Sequence, residues 1–160
     1  MASFVTPLIR EPGEALARAL TQLDAGEEWL LAPRMVNGNP RLWSPGIKLG
    51  VRRGSWYHRT ECFGPVLGLM RAKDFQDAIE IVNDSEFGLQ GALFTRSLKW
   101  AMRFSEEFEV GSLWVNEASR FRLDMYPFGG AKRSGFGREG VRYAIEELSQ
   151  LRFTGMRFDV

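Results

Sequence analysis

One cysteine and one histidine in 160 residues remove most metal and nucleophile chemistry before any motif is read. A lone Cys62 excludes an internal disulfide and fits a reducing compartment. With His58 as the only imidazole, a zinc site built from His and Cys side chains has too few ligands. A Ser-His-Asp triad would have to recruit His58, yet no G-x-S-x-G turn occurs anywhere in the chain. No apolar run approaches the roughly 20 residues that span a bilayer, and the N-terminus lacks the charged, apolar and small-residue regions of a signal peptide. The expected location is therefore cytoplasmic, with no membrane contact. Charge of one sign is also missing: 21 basic against 20 acidic residues leave +1, so nothing concentrates a polyanion and nucleic acid is excluded as a partner.

What is present reads as an α/β protein. Leu16, Ala19, Leu20 and Leu23 recur at helical spacing behind Pro12, which predicts an amphipathic helix over 12–23. A short strand is expected at Glu28 to Ala32, an ordered loop from Pro33 to Gly46, and a second short strand at Ile47 to Val51. Val66 to Met70 forms an apolar run, after which Asp74 can cap a helix carrying Phe75, Ala78, Ile79 and Val82 on one face. Gly91 to Phe94 is the next strand, Ser97 can cap a helix over 98–108, and Val110 to Val115 is a third strand. This β-α-β-α-β order, with strands apolar on both faces, predicts a partial parallel sheet covered by helices on both faces. A last helix carries Val141, Ala144, Ile145 and Leu148, and 149–158 reads as a terminal strand needing an edge that a neighbouring subunit can supply.

Three motifs invite chemistry. Gly135-Phe136-Gly137-Arg138-Glu139-Gly140 matches G-x-G-x-x-G, but no strand leads directly into it and no room follows for an acidic ribose ligand, so it is not a dinucleotide fingerprint. Five glycines between Gly129 and Gly140 mark either a turn-rich connection or a loop shaped around a substrate. Thr60-Glu61-Cys62-Phe63-Gly64-Pro65-Val66 sets an acid and an aromatic at one mouth of the sheet, where a carboxylate can accept two hydrogen bonds from a diol and a phenyl ring can wall a cofactor. The plainer reading of that pair is a surface acid and a core phenylalanine.

Taken in order, five stretches resemble the aldehyde dehydrogenase superfamily, and only the C-terminal portion of it. They are Thr6-Pro7-Leu8-Ile9, Glu61 to Val66, Ala78 to Asn83 with Phe87-Gly88-Leu89, Gly111 to Asn116, and Pro127 to Gly135. The resemblance implies that Glu61 and Phe63 hold the nicotinamide ribose and ring of NAD(P). It implies that the loop Asn116 to Tyr126 anchors the substrate, with Ser119, Arg120 and Phe121 in it, and that Phe128 lines the aldehyde path. Arg120 and Arg122 are suited to an anionic substrate group through paired hydrogen bonds. In the family a thiolate attacks the aldehyde, hydride leaves to the nicotinamide and water releases the acid. The family's cysteine precedes the P-L-I motif, so no residue here is assigned a catalytic role, and Cys62 reads as a buried inert thiol. The expectation is that the chain alone turns nothing over and binds no cofactor.

The early stretches, Gly26 to Leu31, Leu42 to Val51 and His58 to Glu61, look like the branch that oxidises L-glutamate γ-semialdehyde (1-pyrroline-5-carboxylate) in proline breakdown. The later run Asn116 to Asp124, with Gly137 to Ala144, looks more like enzymes acting on small hydroxy- or phosphono-aldehydes. The expected organisation is a partial catalytic domain over 1–148 and an oligomerisation strand and tail over 149–160. The expected partners are a second copy or a dehydrogenase subunit. A non-catalytic oligomerising or subunit-binding module is the competing reading.

Overall fold

The computed structural model describes residues 7–158, and the chain divides into two compact units, residues 1–85 and 86–160. Thr6 of the first resembling stretch lies outside the described residues. No helix among the described residues is long and apolar enough to cross a membrane.

In the first unit, helix α1 (Glu14–Thr21) buries Leu16, Ala19 and Leu20. It stops at Gln22, so Leu23 falls beyond it and is largely exposed rather than completing the predicted stripe. Strand β1 (Glu28–Leu31) pairs antiparallel with β4 (Gly46–Leu49), and β4 pairs parallel with β5 (Val66–Gly68). Gly64 packs against the Leu16 side chain, at a spot where a Cβ would collide with it, so glycine there lets α1 approach the Glu61–Pro65 segment. Short helix α2 (Trp56–Arg59) is capped by Ser55, whose hydroxyl accepts from the His58 amide. Helix α3 (Phe75–Asn83) starts at Asp74, whose carboxylate accepts from the Asp77 amide at 2.9 Å as predicted, and it buries Ile79.

The stretch expected to be a loop, Pro33 to Gly46, contains a hairpin: β2 (Met35–Val36) pairs antiparallel with β3 (Asn39–Trp43). Asn37 and Gly38 at its tip have φ of 52° and 67°, the left-handed pair that a two-residue type I′ turn demands. Arg41 fastens this hairpin to the preceding coil, its Nε donating to the Leu8 carbonyl at 2.8 Å while the Leu8 amide donates to the Arg41 carbonyl at 2.8 Å.

In the second unit, β7 (Gln90–Leu93) and β8 (Ser112–Val115) form a parallel pair in the register Gln90 to Ser112 through Leu93 to Val115. Helix α4 (Leu98–Glu107) connects them, capped by Ser97, and buries Phe104, whose ring lies 4.8 Å from that of Phe108. A second pair is antiparallel, β6 (Phe87–Gly88) with β9 (Ala131–Lys132). Helix α5 (Val141–Leu148) follows the glycine-rich loop. Each unit thus carries parallel pairing, β4 with β5 within the three-stranded sheet of the first and β7 with β8 in the second. Within the single chain, 149–158 pairs with no strand, and Leu151, Phe153, Met156 and Phe158 are exposed. An isolated terminal segment has no ladder partner of its own, which is why its apolar pattern alone does not produce a strand.

Candidate functional site

Two cavities collect the residues that the sequence singled out, one in each unit. The first, of about 860 Å³, is lined by coil residues Pro7 to Glu11, by α1 at Leu16, and by Glu61, Cys62, Phe63 and Gly64. Glu61 and Phe63 therefore share one concavity. Phe63 is 80% exposed despite its apolar ring and has φ of 50°. A bulky residue in the left-handed region is strained, and such strain persists where the surroundings hold a side chain in a working position. Here it turns a phenyl ring outward in the concavity that Glu61 also lines, and a carboxylate and an exposed ring suit a ribose diol and a flat aromatic ring. The expected core phenylalanine is not what Phe63 becomes.

Cys62 lies between them, and its Sγ contacts the Thr60 carbonyl at 3.5 Å. Burial raises its thiol pKa, and the nearby Lys48 ammonium offsets this only in part. Cys62 is half-buried rather than buried, and the raised pKa disfavours the thiolate that would act as a nucleophile. Lys48 lies in the strand expected at Ile47 to Val51 and is 2% exposed, with Nζ donating to the Gln22 carbonyl at 2.7 Å and lying 3.4 Å from Glu27. The rings of Tyr57 and Trp29 sit 4.7 and 5.1 Å from the ammonium. Tyr57 donates from its hydroxyl to the Val66 carbonyl at 2.8 Å, and burial is the main cause pushing its phenol up to about 12.

The second cavity, of about 320 Å³, is bounded by Gln90 on β7, Ser112 to Trp114 on β8, and Phe121, Arg122, Tyr126, Pro127 and Phe128 from the following loop. The loop departs from a fixed point. Asn116, with φ of 59°, clamps Thr95 in both directions, accepting from its amide at 2.8 Å and donating to its carbonyl at 2.9 Å. Trp114 then meets Phe121 edge-on at 5.0 Å and Tyr126 at 6.0 Å between centroids. Phe128 is bridged through its backbone to Glu139, and the Arg122 guanidinium lies 4.2 Å over its ring. Gly111, at the entrance to β8, packs on the Gly129 carbonyl, leaving no room for a side chain.

Of the four residues expected to meet substrate, Phe121 and Phe128 line this cavity, while Ser119 and Arg120 are exposed and absent from its wall. Of the two arginines expected to suit an anionic group, Arg122 lines the cavity and Arg120 does not. Trp114 and Tyr126 were not singled out by sequence: Trp114 reads as one apolar residue in a strand, and the pattern carries no sign that it faces the loop. Among the described residues no cluster of His, Cys, Asp and Glu is suited to a metal ion.

The sequence profile of the aldehyde dehydrogenase family matches residues 5–154. The chain belongs to the aldehyde dehydrogenase family. Within that family it is 40% identical over 128 residues to a lactaldehyde dehydrogenase of Methanococcus vannielii, covering 80% of this chain and 27% of that protein. The structure of Proline Utilization A (PutA) from Corynebacterium freiburgense superimposes with a TM-score of 0.83 at 38% identity, covering 94% of this chain and 17% of that one. The glyceraldehyde-3-phosphate dehydrogenase GapN of Methanocaldococcus jannaschii, determined in complex with NADP, matches with a TM-score of 0.74 at 38% identity, covering 86% of this chain and 28% of that one. The chain thus spans about a quarter or less of the length of these aldehyde dehydrogenase relatives.

Proposed function

We propose that this chain forms the rear part of the catalytic unit of an NAD(P)-dependent aldehyde dehydrogenase that oxidises L-glutamate γ-semialdehyde to glutamate. The observation that supports this substrate is the structural match to PutA, which extends over 94% of the chain with a TM-score of 0.83, against 86% and 0.74 for the GapN structure. In this reading Glu61 accepts hydrogen bonds from the nicotinamide ribose hydroxyls and the exposed Phe63 ring walls the nicotinamide. When bound, the nicotinamide takes up the electrons removed from the aldehyde. The residues of the second cavity hold the aldehyde: Trp114, Phe121, Tyr126 and Phe128 exclude water from its carbon chain, and Arg122 engages its polar end. Cys62 takes no part as a nucleophile, since burial keeps its thiol protonated. The segment 149–160 pairs with a second copy, which would cover Leu151 and Phe153.

A second reading, a short hydroxyaldehyde as substrate, draws on the identity to the lactaldehyde dehydrogenase and on an arginine-bearing loop. Steady-state comparison of the complete enzyme on γ-semialdehyde and lactaldehyde separates the two. The proposal expects kcat/KM to favour γ-semialdehyde by about tenfold or more, a margin of at least about 1.4 kcal/mol in transition-state binding. The reverse order supports the hydroxyaldehyde. The 160-residue chain mixed with NAD and γ-semialdehyde is expected to form no reduced cofactor.

A further inference from the structure

The loop that carries Glu61 and Phe63 is closed on itself by one side chain. Tyr57, on α2, donates its hydroxyl at 2.8 Å to the carbonyl of Val66, the first residue of β5. Glu61, Cys62 and Phe63 all lie inside that closure. The ring of Tyr57 is itself fixed from two sides. The Lys48 ammonium sits 4.7 Å from its centroid, and the ring packs so closely on Gly68 of β5 that a Cβ there would meet its Cε1 at 2.6 Å. Burial is the main cause pushing the phenol up to about 12, so it stays protonated and able to donate at neutral pH.

Phe63 needs support from outside its own side chain. Its φ of 50° is a conformation that a bulky residue resists, and its ring is 80% exposed, so packing of the ring offsets little of that strain. The backbone on either side supplies the support. After Phe63, Gly64 presses on Leu16 and the Pro65 carbonyl accepts from the Gly46 amide at 2.8 Å. Before it comes α2, four residues long and too short to hold its own geometry. The ion pair from Arg59 of α2 to Asp84 lies at the surface, where such pairs contribute little. The Tyr57 hydroxyl ties α2 to β5 below the surface. We propose that Tyr57 is a positioning residue for cofactor binding, its hydroxyl closing the loop from α2 to β5 and so fixing where Glu61 and Phe63 present a carboxylate and a ring. The inference rests on the reading of Glu61 and Phe63 as the contacts to the nicotinamide ribose and ring. Tyr57 does not line the cavity that these two share, so it acts through them and not on the cofactor.

The test is Tyr57→Phe, which deletes the hydroxyl and keeps the ring between Lys48 and Gly68. In the 160-residue chain, amide hydrogen exchange at Gly46 and Val66 is expected to quicken by about fivefold, the scale of one lost hydrogen bond, while α3 amides keep their rates. In the complete enzyme the cofactor KM is expected to rise by about fivefold with the aldehyde KM unchanged, a split that general loss of stability would not produce. Combined with Glu61→Gln, whose own effect is about tenfold, the double variant is expected to fall well short of the roughly fiftyfold that independent effects multiply to. A cofactor KM that rises in Glu61→Gln and not in Tyr57→Phe overturns the positioning role and leaves the proposed function standing. An aldehyde KM that rises in step with the cofactor KM, or a double variant at the full product, also overturns it. Quickened exchange in Tyr57→Phe with no change of cofactor KM in either single variant overturns the cofactor role of Glu61, and the inference with it.

Discussion

Replacing Lys48 with methionine probes the least forgiving contact in the first unit. Lys48 and Glu27 have side chains 3% and 1% exposed, so both charges are withdrawn from water. Methionine fills nearly the same volume, which keeps the cavity contribution small. What it removes is the partner of Glu27: Oε2 would keep only the Asp24 amide at 3.0 Å, and Oε1 already has no partner. The Gln22 carbonyl, at 2.7 Å from Nζ, loses its donor as well. Breaking a buried pair from one side costs about 3–5 kcal/mol, a large fraction of the ~5–15 kcal/mol that holds a small protein folded. Replacing Glu27 with leucine in the same molecule removes the stranded carboxylate and is expected to recover most of the loss. Urea unfolding followed by circular dichroism reads both. A Lys48→Met protein within about 1 kcal/mol of the parent, or a double variant no better than the single one, refutes the reasoning.

Tyr57 gives a pH dependence with a definite sign. Its phenol is raised to about 12 in the folded chain, above an ordinary value of 10.0, so its stabilising contribution is present below pH 10 and is lost as pH rises toward 12. Ultraviolet titration is expected to find one of the three tyrosines ionising near 12, and Tyr57→Phe is expected to remove that step. Gly111→Ala is expected to cost about 1–3 kcal/mol or more, because the added Cβ meets a backbone carbonyl at Gly129 that has no rotamer to yield. The second unit's thermal midpoint measures it, and an unchanged midpoint contradicts the close approach.

Legibility followed how local each feature is. The Asp74 and Ser97 caps were readable because a side chain bonds an amide three residues on, within one turn. Glu61 and Phe63 lie two positions apart with only Cys62 between them, so a single local turn of backbone sets both. The hairpin at Asn37-Gly38 had a signal in that dipeptide, hidden by surrounding prolines that read as loop. Lys48 was not readable, because burial of an ammonium depends on Glu27 and Trp29 arriving from the start of β1 and Tyr57 from α2. The sequence offered both Arg120 and Arg122; which of them lines the cavity goes with contacts to Phe128 and Glu139, beyond the loop itself. The segment 149–158 shows the converse case, an apolar pattern with no partner in the chain to make it a strand.

The most direct measurement of the central claim is the cofactor KM of the complete enzyme with γ-semialdehyde as substrate, for the native protein and for Glu61→Gln. If Glu61 holds the ribose hydroxyls, the variant raises the cofactor KM by about tenfold, the loss of roughly 1.4 kcal/mol of charge-assisted hydrogen bonding, while the aldehyde KM stays put. An unchanged cofactor KM, or no oxidation of γ-semialdehyde by the native protein, contradicts it.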